Sequence, residues 1–143
     1  MKNILFYNDK TPETGDAIAL YVAAGWGSIA DYPAEQWENA LNGTTRIFTA
    51  YHQEQLVGMV RVLSDNAHDT HLADFVVHPD FRRQGIGKTL LQDVATQFSH
   101  TAIYLDGLNT KSIPFFETGG FTVRTHMFVA SKAPSLPAKP LAA

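Results

Sequence analysis

Residues 82–89 read Arg-Arg-Gln-Gly-Ile-Gly-Lys-Thr, with three cations and two glycines crowded together. An apolar helical stripe follows them. These residue types suit phosphate. Glycines lack the Cβ that would keep backbone N–H groups from converging on an anion. A helix N-terminus adds partial positive charge, and basic side chains add mobile charge at the rim.

Three phosphate-binding patterns share these residues, and spacing separates them. A nucleotide P-loop requires G-x-x-x-x-G-K-[ST]. Gly87, Lys88 and Thr89 end that pattern, but Arg82 stands where its first glycine belongs. A dinucleotide turn requires G-x-G-x-x-G, whose last glycine allows close helix–strand packing. Leu90 occupies that position. The pattern [Q/R]-x-x-G-x-[G/A] is met at every position by residues 82–87.

The elements that must hold this loop follow from periodicity. Residues 3–7 suit an opening strand. Thr11-Pro12-Glu13 start a helix, and a second helix begins near Asp31 and Pro33 and stops at Asn42-Gly43. Residues 46–52, 56–64 and 70–78 read as three strands of a meander, stopped by Pro79. Ile86, Leu90, Leu91, Val94 and Phe98 keep a 3.6-residue period, which predicts an amphipathic helix after the loop. Residues 102–107 suit a buried strand, 109–120 a short helix and 121–130 a last strand. The expected fold class is α/β with a mixed central sheet: an antiparallel meander joined to a parallel pair and flanked by helices. One domain is expected over residues 1–130, and residues 131–143, with three prolines and little to bury, are expected to be disordered.

Composition narrows the classes. The chain has 143 residues, a net charge of −3 and a pI near 6.0. A general nucleic-acid or membrane-surface binder needs a basic face, so neither is expected. No cysteine is present, which removes disulfides, thiolate nucleophiles and cysteine-held metals. No spacing among the six histidines suggests a metal site. The N-terminal apolar run is too short for a signal peptide, and no stretch is long enough to span a bilayer, so a cytoplasmic location is expected.

The segments 75–91 and 109–121 together resemble the central and following motifs of the GCN5-related N-acetyltransferases (GNAT). The likeness extends over roughly residues 1–130, and the element order agrees with it. It implies acetyl-CoA as co-substrate and a primary amine as acceptor, attacked directly. It implies that the strand before the loop and the strand after the helix splay apart. Phe75, Val76 and Val77 would meet the pantetheine arm through backbone atoms. Arg82, Arg83, Gln84, Gly85, Ile86, Gly87 and Lys88 would hold the diphosphate. Asn109 matches a cofactor-contacting asparagine, and its bland reading is a helix cap. Phe116 stands where the family often has a tyrosine acting as general acid. It would wall the cofactor but cannot donate a proton, which leaves water, Ser112 or Tyr104. A homodimer is implied by analogy alone.

The attacking amine must lose a proton, so a base or a water chain is required. His71 and Asp74 are the candidates. Histidine titrates in the right range. Asp74 interrupts an apolar strand and must have a purpose there, either in chemistry or in pairing with an arginine such as Arg61. His71 as a plain strand end is the bland alternative. His78, beside Pro79, reads as structural. Trp26, Tyr32 and Trp37 read as core packing or as lining of the acceptor site. The rival function is a non-catalytic acyl-CoA-binding module, favoured by Phe116.

Overall fold

The computed structural model describes residues 3–135. Five strands form one sheet in the order β1-β2-β3-β4-β5. They are β1 (Ile4–Tyr7), β2 (Arg46–His52), β3 (Gln55–Ser64), β4 (Asp69–Val77) and β5 (Ala102–Tyr104). The first four pair antiparallel, and β4 pairs β5 in parallel. Helices α1 (Thr14–Ala23) and α2 (Ala34–Asn42) intervene between β1 and β2. Helix α3 (Ile86–Gln97) joins β4 to β5, and α4 (Ile113–Thr118) follows β5. This is the expected mixed sheet with helices on both faces.

Strand alternation sends side chains to two separate cores. Phe48, Val60, Val62 and Leu72 face α3, and Ile86, Leu90, Leu91, Val94 and Phe98 are all buried against them. The stripe read from the sequence is therefore the face that docks. Ile47, Tyr51, Met59 and Val76 face the other way and meet Ala17, Leu20 and Tyr21 of α1 and Leu41 of α2. The close approach of α3 depends on Gly58, where a Cβ would sit 3.0 Å from both Ile86 and Leu90.

Two irregularities reshape the sheet. The β3–β4 register shifts between Arg61 and Val62, so that Arg61 pairs Asp74 and Val62 pairs Leu72. Ala73 is thus an extra residue on β4, a bulge that bends the strand. Pairing of β4 with β5 covers only Asp69–Ala102, Thr70–Ile103 and His71–Tyr104.

The expected last strand over 121–130 does not form. Those residues carry no regular secondary structure, and Met127, Phe128 and Val129 are 67%, 96% and 74% exposed. A strand exists only through pairing, and β5 offers three residues instead of the six expected. The helix boundaries also moved: Pro33 caps α2 and Asp31 lies in a preceding 3-10 turn. Residues 131–135 form no helix or strand, and 136–143, the rest of the expected tail, lie outside the described residues. Among the described residues no helix is long and apolar enough to cross a membrane.

Replacing Gly58 with valine should push α3 off the sheet. A loss of about 1–3 kcal/mol in urea unfolding is expected, as for other overpacked cores; an unchanged midpoint would show that α3 does not rest there.

Candidate active site at the splayed strands

Past His71, β4 runs on to Val77 while β5 has ended at Tyr104. The anticipated divergence is therefore present. Backbone groups of β4 that face away from β3 lose their strand partner there. Phe75 and Val77 turn their side chains onto the α3 core, and Val76 is buried against the α1 side. Phe75 and Val77 stay partly exposed, and Val76 is buried.

The end of β4 leads through Pro79–Phe81, a 3-10 turn, into the glycine loop. His78 caps that turn, its Nδ1 accepting from the Asp80 N–H at 3.1 Å, and so has a structural task. Arg82 donates from Nε to the Val77 carbonyl at 3.2 Å and ties the loop back to the strand. Arg83 and Gly85 both have left-handed φ values, +62° and +83°. Holding a non-glycine residue there costs on the order of 1 kcal/mol, a strain that recurs at functional sites.

Gly85 is the N-cap of α3, and no side chain caps that helix. The N–H groups of Ile86, Gly87 and Lys88 belong to the first turn, which has no intrahelical acceptor for them. A Cβ on Gly85 would meet no atom within 4 Å, so the loop leaves open room in front of those donors. Gly87 has a packing role as well. A Cβ there would lie 3.2 Å from Phe115, so its bareness lets α4 approach α3. Ile86 is buried and can offer only its backbone. Gln84 Oε1 is buried without a donor among the described residues, so its side-chain oxygen faces protein and cannot serve a phosphate. Arg83 and Lys88 are exposed at the rim.

The helix expected over 109–120 forms only at Ile113–Thr118 with Ser112 as its N-cap, and Asn109 closes the turn before it: Oδ1 accepts from the N–H groups of Lys111 and Ser112 at 2.9 and 3.1 Å. Its amide nitrogen has no partner among the described residues. Ser112 Oγ bonds both backbone groups of Asn109, which engages that hydroxyl. Phe116 is buried edge-to-face among Phe75, Phe115 and Phe121. Phe115, beside Gly87, is the less buried of the pair.

On the α1 side of the sheet, Leu63, His71 and Tyr104 are cross-strand neighbours. They line a shallow depression of about 570 Å³ together with Asp65 and Asp69. His71 and Tyr104 thus stand at the point where the strands part. Asp65 is held at about 2 by the backbone N–H groups of His68, Ala67 and Asp69. Beyond the bulge, on the same face, lies Asp74. Arg61 Nε and the Tyr21 hydroxyl both donate to Asp74 Oδ2 at 2.7 Å. The arginine pairing considered for Asp74 is therefore made. Burial, then the charge of Asp74, push the Tyr21 hydroxyl far above the ordinary tyrosine range, so it remains a donor.

Trp26 and Tyr32 stack on Tyr21, with ring planes within 14° and 12° of parallel. Trp37 tilts against Tyr21 and Tyr32, and the Arg61 guanidinium lies 5.5 Å from its ring. Tyr21 escaped the sequence reading. Its signal was Asp74 itself, since a carboxylate in an apolar strand needs donors from a facing helix. No group of three or more His, Asp or Glu side chains is placed to hold a metal among the described residues.

The chain belongs to the GNAT acetyltransferases: the family's acetyltransferase domain model matches residues 13–137. It is similar to an uncharacterised N-acetyltransferase, ycf52, of Porphyra purpurea, 26% identical over 107 residues, covering 72% of this chain and 60% of that protein. The match to its counterpart in Pyropia yezoensis is also 26% identical and covers 59% of that protein, so the chain spans about 60% of the length of these relatives. A GNAT family acetyltransferase from Streptococcus pneumoniae TIGR4 superposes with a TM-score of 0.75 at 25% identity, over 92% of this chain and 100% of the other. An N-acetyltransferase from Thermoplasma acidophilum, solved with coenzyme A, shares the fold with a TM-score of 0.67 at 18% identity, over 85% and 91% of the chains.

Changing Arg61 to methionine should leave Asp74 with half its donors in a part-buried setting. We expect a loss of about 3 kcal/mol, the usual result of breaking such a pair, with partial recovery in Arg61→Met/Asp74→Leu. Urea unfolding of the single and double variants checks this; an unaltered single variant would mean the pair holds nothing.

Proposed function

We propose that the protein moves an acetyl group from acetyl-CoA to a primary amine by direct attack. The observation that carries this reading is the splay: β4 leaves β5 after three residue pairs, beside an uncapped helix N-terminus with open room at Gly85. The features fit the carrier. The β4 edge along Phe75, Val76 and Val77, which β5 does not cover, suits the amides of a pantetheine arm, although the Val77 carbonyl already accepts from Arg82. The N–H groups of residues 86–88, with Arg83 and Lys88 at the rim, suit its diphosphate. The ring of Phe115 stands beside Gly87 with Phe116 packed against it, and Asn109 would contact the carrier through its open amide nitrogen. When bound, acetyl-CoA supplies an acetyl thioester, whose carbonyl accepts a nucleophile and whose thiol leaves readily.

This chain's residues then have three tasks. A backbone N–H on the β4 edge donates to the carbonyl oxygen as charge gathers there. His71 takes the proton that an ammonium must lose before it can attack. For the departing sulfur, Phe116 has no hydroxyl to offer and that of Ser112 is engaged. Tyr104, half-exposed opposite His71, or water supplies that proton. No cysteine is present to carry the acetyl group, which favours direct transfer.

The same Phe116 favours a second reading, an acyl-CoA-binding module without catalysis. Release of free thiol above background, from acetyl-CoA and a panel of amines, decides between them.

Two variants test the assignments. Gly85→Glu should weaken CoA binding at least tenfold by calorimetry, because it sets a negative charge before the helix N-terminus; normal binding by folded protein would refute the loop as phosphate site. His71→Gln should lower kcat about 10²-fold with CoA affinity intact; undiminished turnover would remove His71 as base.

A further inference from the structure

The depression and Asp74 carry a statement about the acceptor. Both donors to Asp74 meet Oδ2. Oδ1 has no donor among the described residues, and the side chain keeps 16% of its exposure. A carboxylate oxygen of this kind, part-open beside an aromatic roof, is free to accept an N–H donor from outside the chain.

The surroundings are one-sided in charge. Residues 11–45, which build the roof, contain Glu13, Asp16, Asp31, Glu35 and Glu38 and neither lysine nor arginine. Asp65 and Asp69 line the depression, and no lysine or arginine lines it. Arg61, the cation nearest Asp74, is already paired with it. Arg83 and Lys88 stand at the glycine loop, and Lys10 lies over the Tyr7 and Tyr51 rings, outside the residues that line the depression. Leu63 and Tyr104, 40% and 52% exposed, give the depression an apolar floor on the same face as His71 and Asp74.

We propose that the acceptor is a cationic primary amine on an apolar or aromatic stem, its nitrogen directed to Asp74 Oδ1 and His71 and its stem lying over Leu63 and Tyr104. Amines carrying a carboxylate are rejected, because their negative charge would enter a region that offers it no partner. This deepens the proposed transferase reading and rests on it. Asp74 here orients the acceptor through its free oxygen, and proton removal falls to His71.

The test compares 2-phenylethylamine with phenylalanine, which has the same stem and amine plus a carboxylate. Thiol release from acetyl-CoA is followed with the full chain. We expect kcat/KM for the first to exceed that for the second at least tenfold, about the worth of one charge-assisted contact. Asp74→Asn should raise KM for phenylethylamine by a similar factor. Leu63→Arg, at an exposed position, should do the same without touching the Arg61 pair. Both should leave CoA affinity within about twofold, since neither residue lies on the CoA side. Equal use of the two amines, or an unchanged KM in Leu63→Arg, overturns the acceptor assignment while leaving acetyl transfer intact. Absence of thiol release with every amine, while CoA still binds, refutes the transferase reading itself and the acceptor assignment with it.

Discussion

Backbone N–H and C=O groups inside a sheet need partners, and past His71 the strand β4 finds them on one side only. β5 is too short to follow it. The Ala73 bulge bends the strand at the same place, and the chain beyond it turns at once into the glycine loop. An unsatisfied edge, a bend and a helix N-terminus thus share one small region. Each is costly alone. Together they form a continuous run of donors and acceptors that one extended, anionic ligand could satisfy.

The sheet divides the remaining labour between its faces. Toward α3 it is sealed: aliphatic side chains, Gly58 and Gly87 allow backbones to press close, and the Phe75–Phe115–Phe116–Phe121 cluster closes the end. Toward α1 and α2 it carries polar groups that must be compensated. Arg61 and Tyr21 compensate Asp74, and the rings of Trp26, Tyr32 and Trp37 pack around them. Rigidity on the first face keeps the loop and strand in register. The second face is half roofed and half open.

What could be read beforehand follows the range of the interactions involved. The α3 stripe, the meander and the glycine loop are local patterns with a period or a fixed spacing, and the observed elements match them. The aspartate in an apolar strand was conspicuous, but its partner Tyr21 lies 53 residues away. The bulge at Ala73 leaves no local mark, because it is a mismatch between two strands. Gly87 matched a phosphate pattern by spacing, yet it touches Phe115, which no window of sequence would bring near it. Residues 121–130 have strand-like composition. Composition cannot say whether a neighbouring strand will be long enough to pair with them. Asn109 bonds a turn ahead of α4 instead of the helix itself, because the helix starts later than its composition suggested.

The exposed run of Met127, Phe128 and Val129 and the short border strand β5 have a practical consequence. Exposed greasy side chains and unpaired strand edges both invite neighbouring molecules to stick. A net charge of only −3 gives little mutual repulsion. Colloidal stability should therefore be poorest near the pI of about 6.0, where handling concentrated solutions calls for more alkaline buffers.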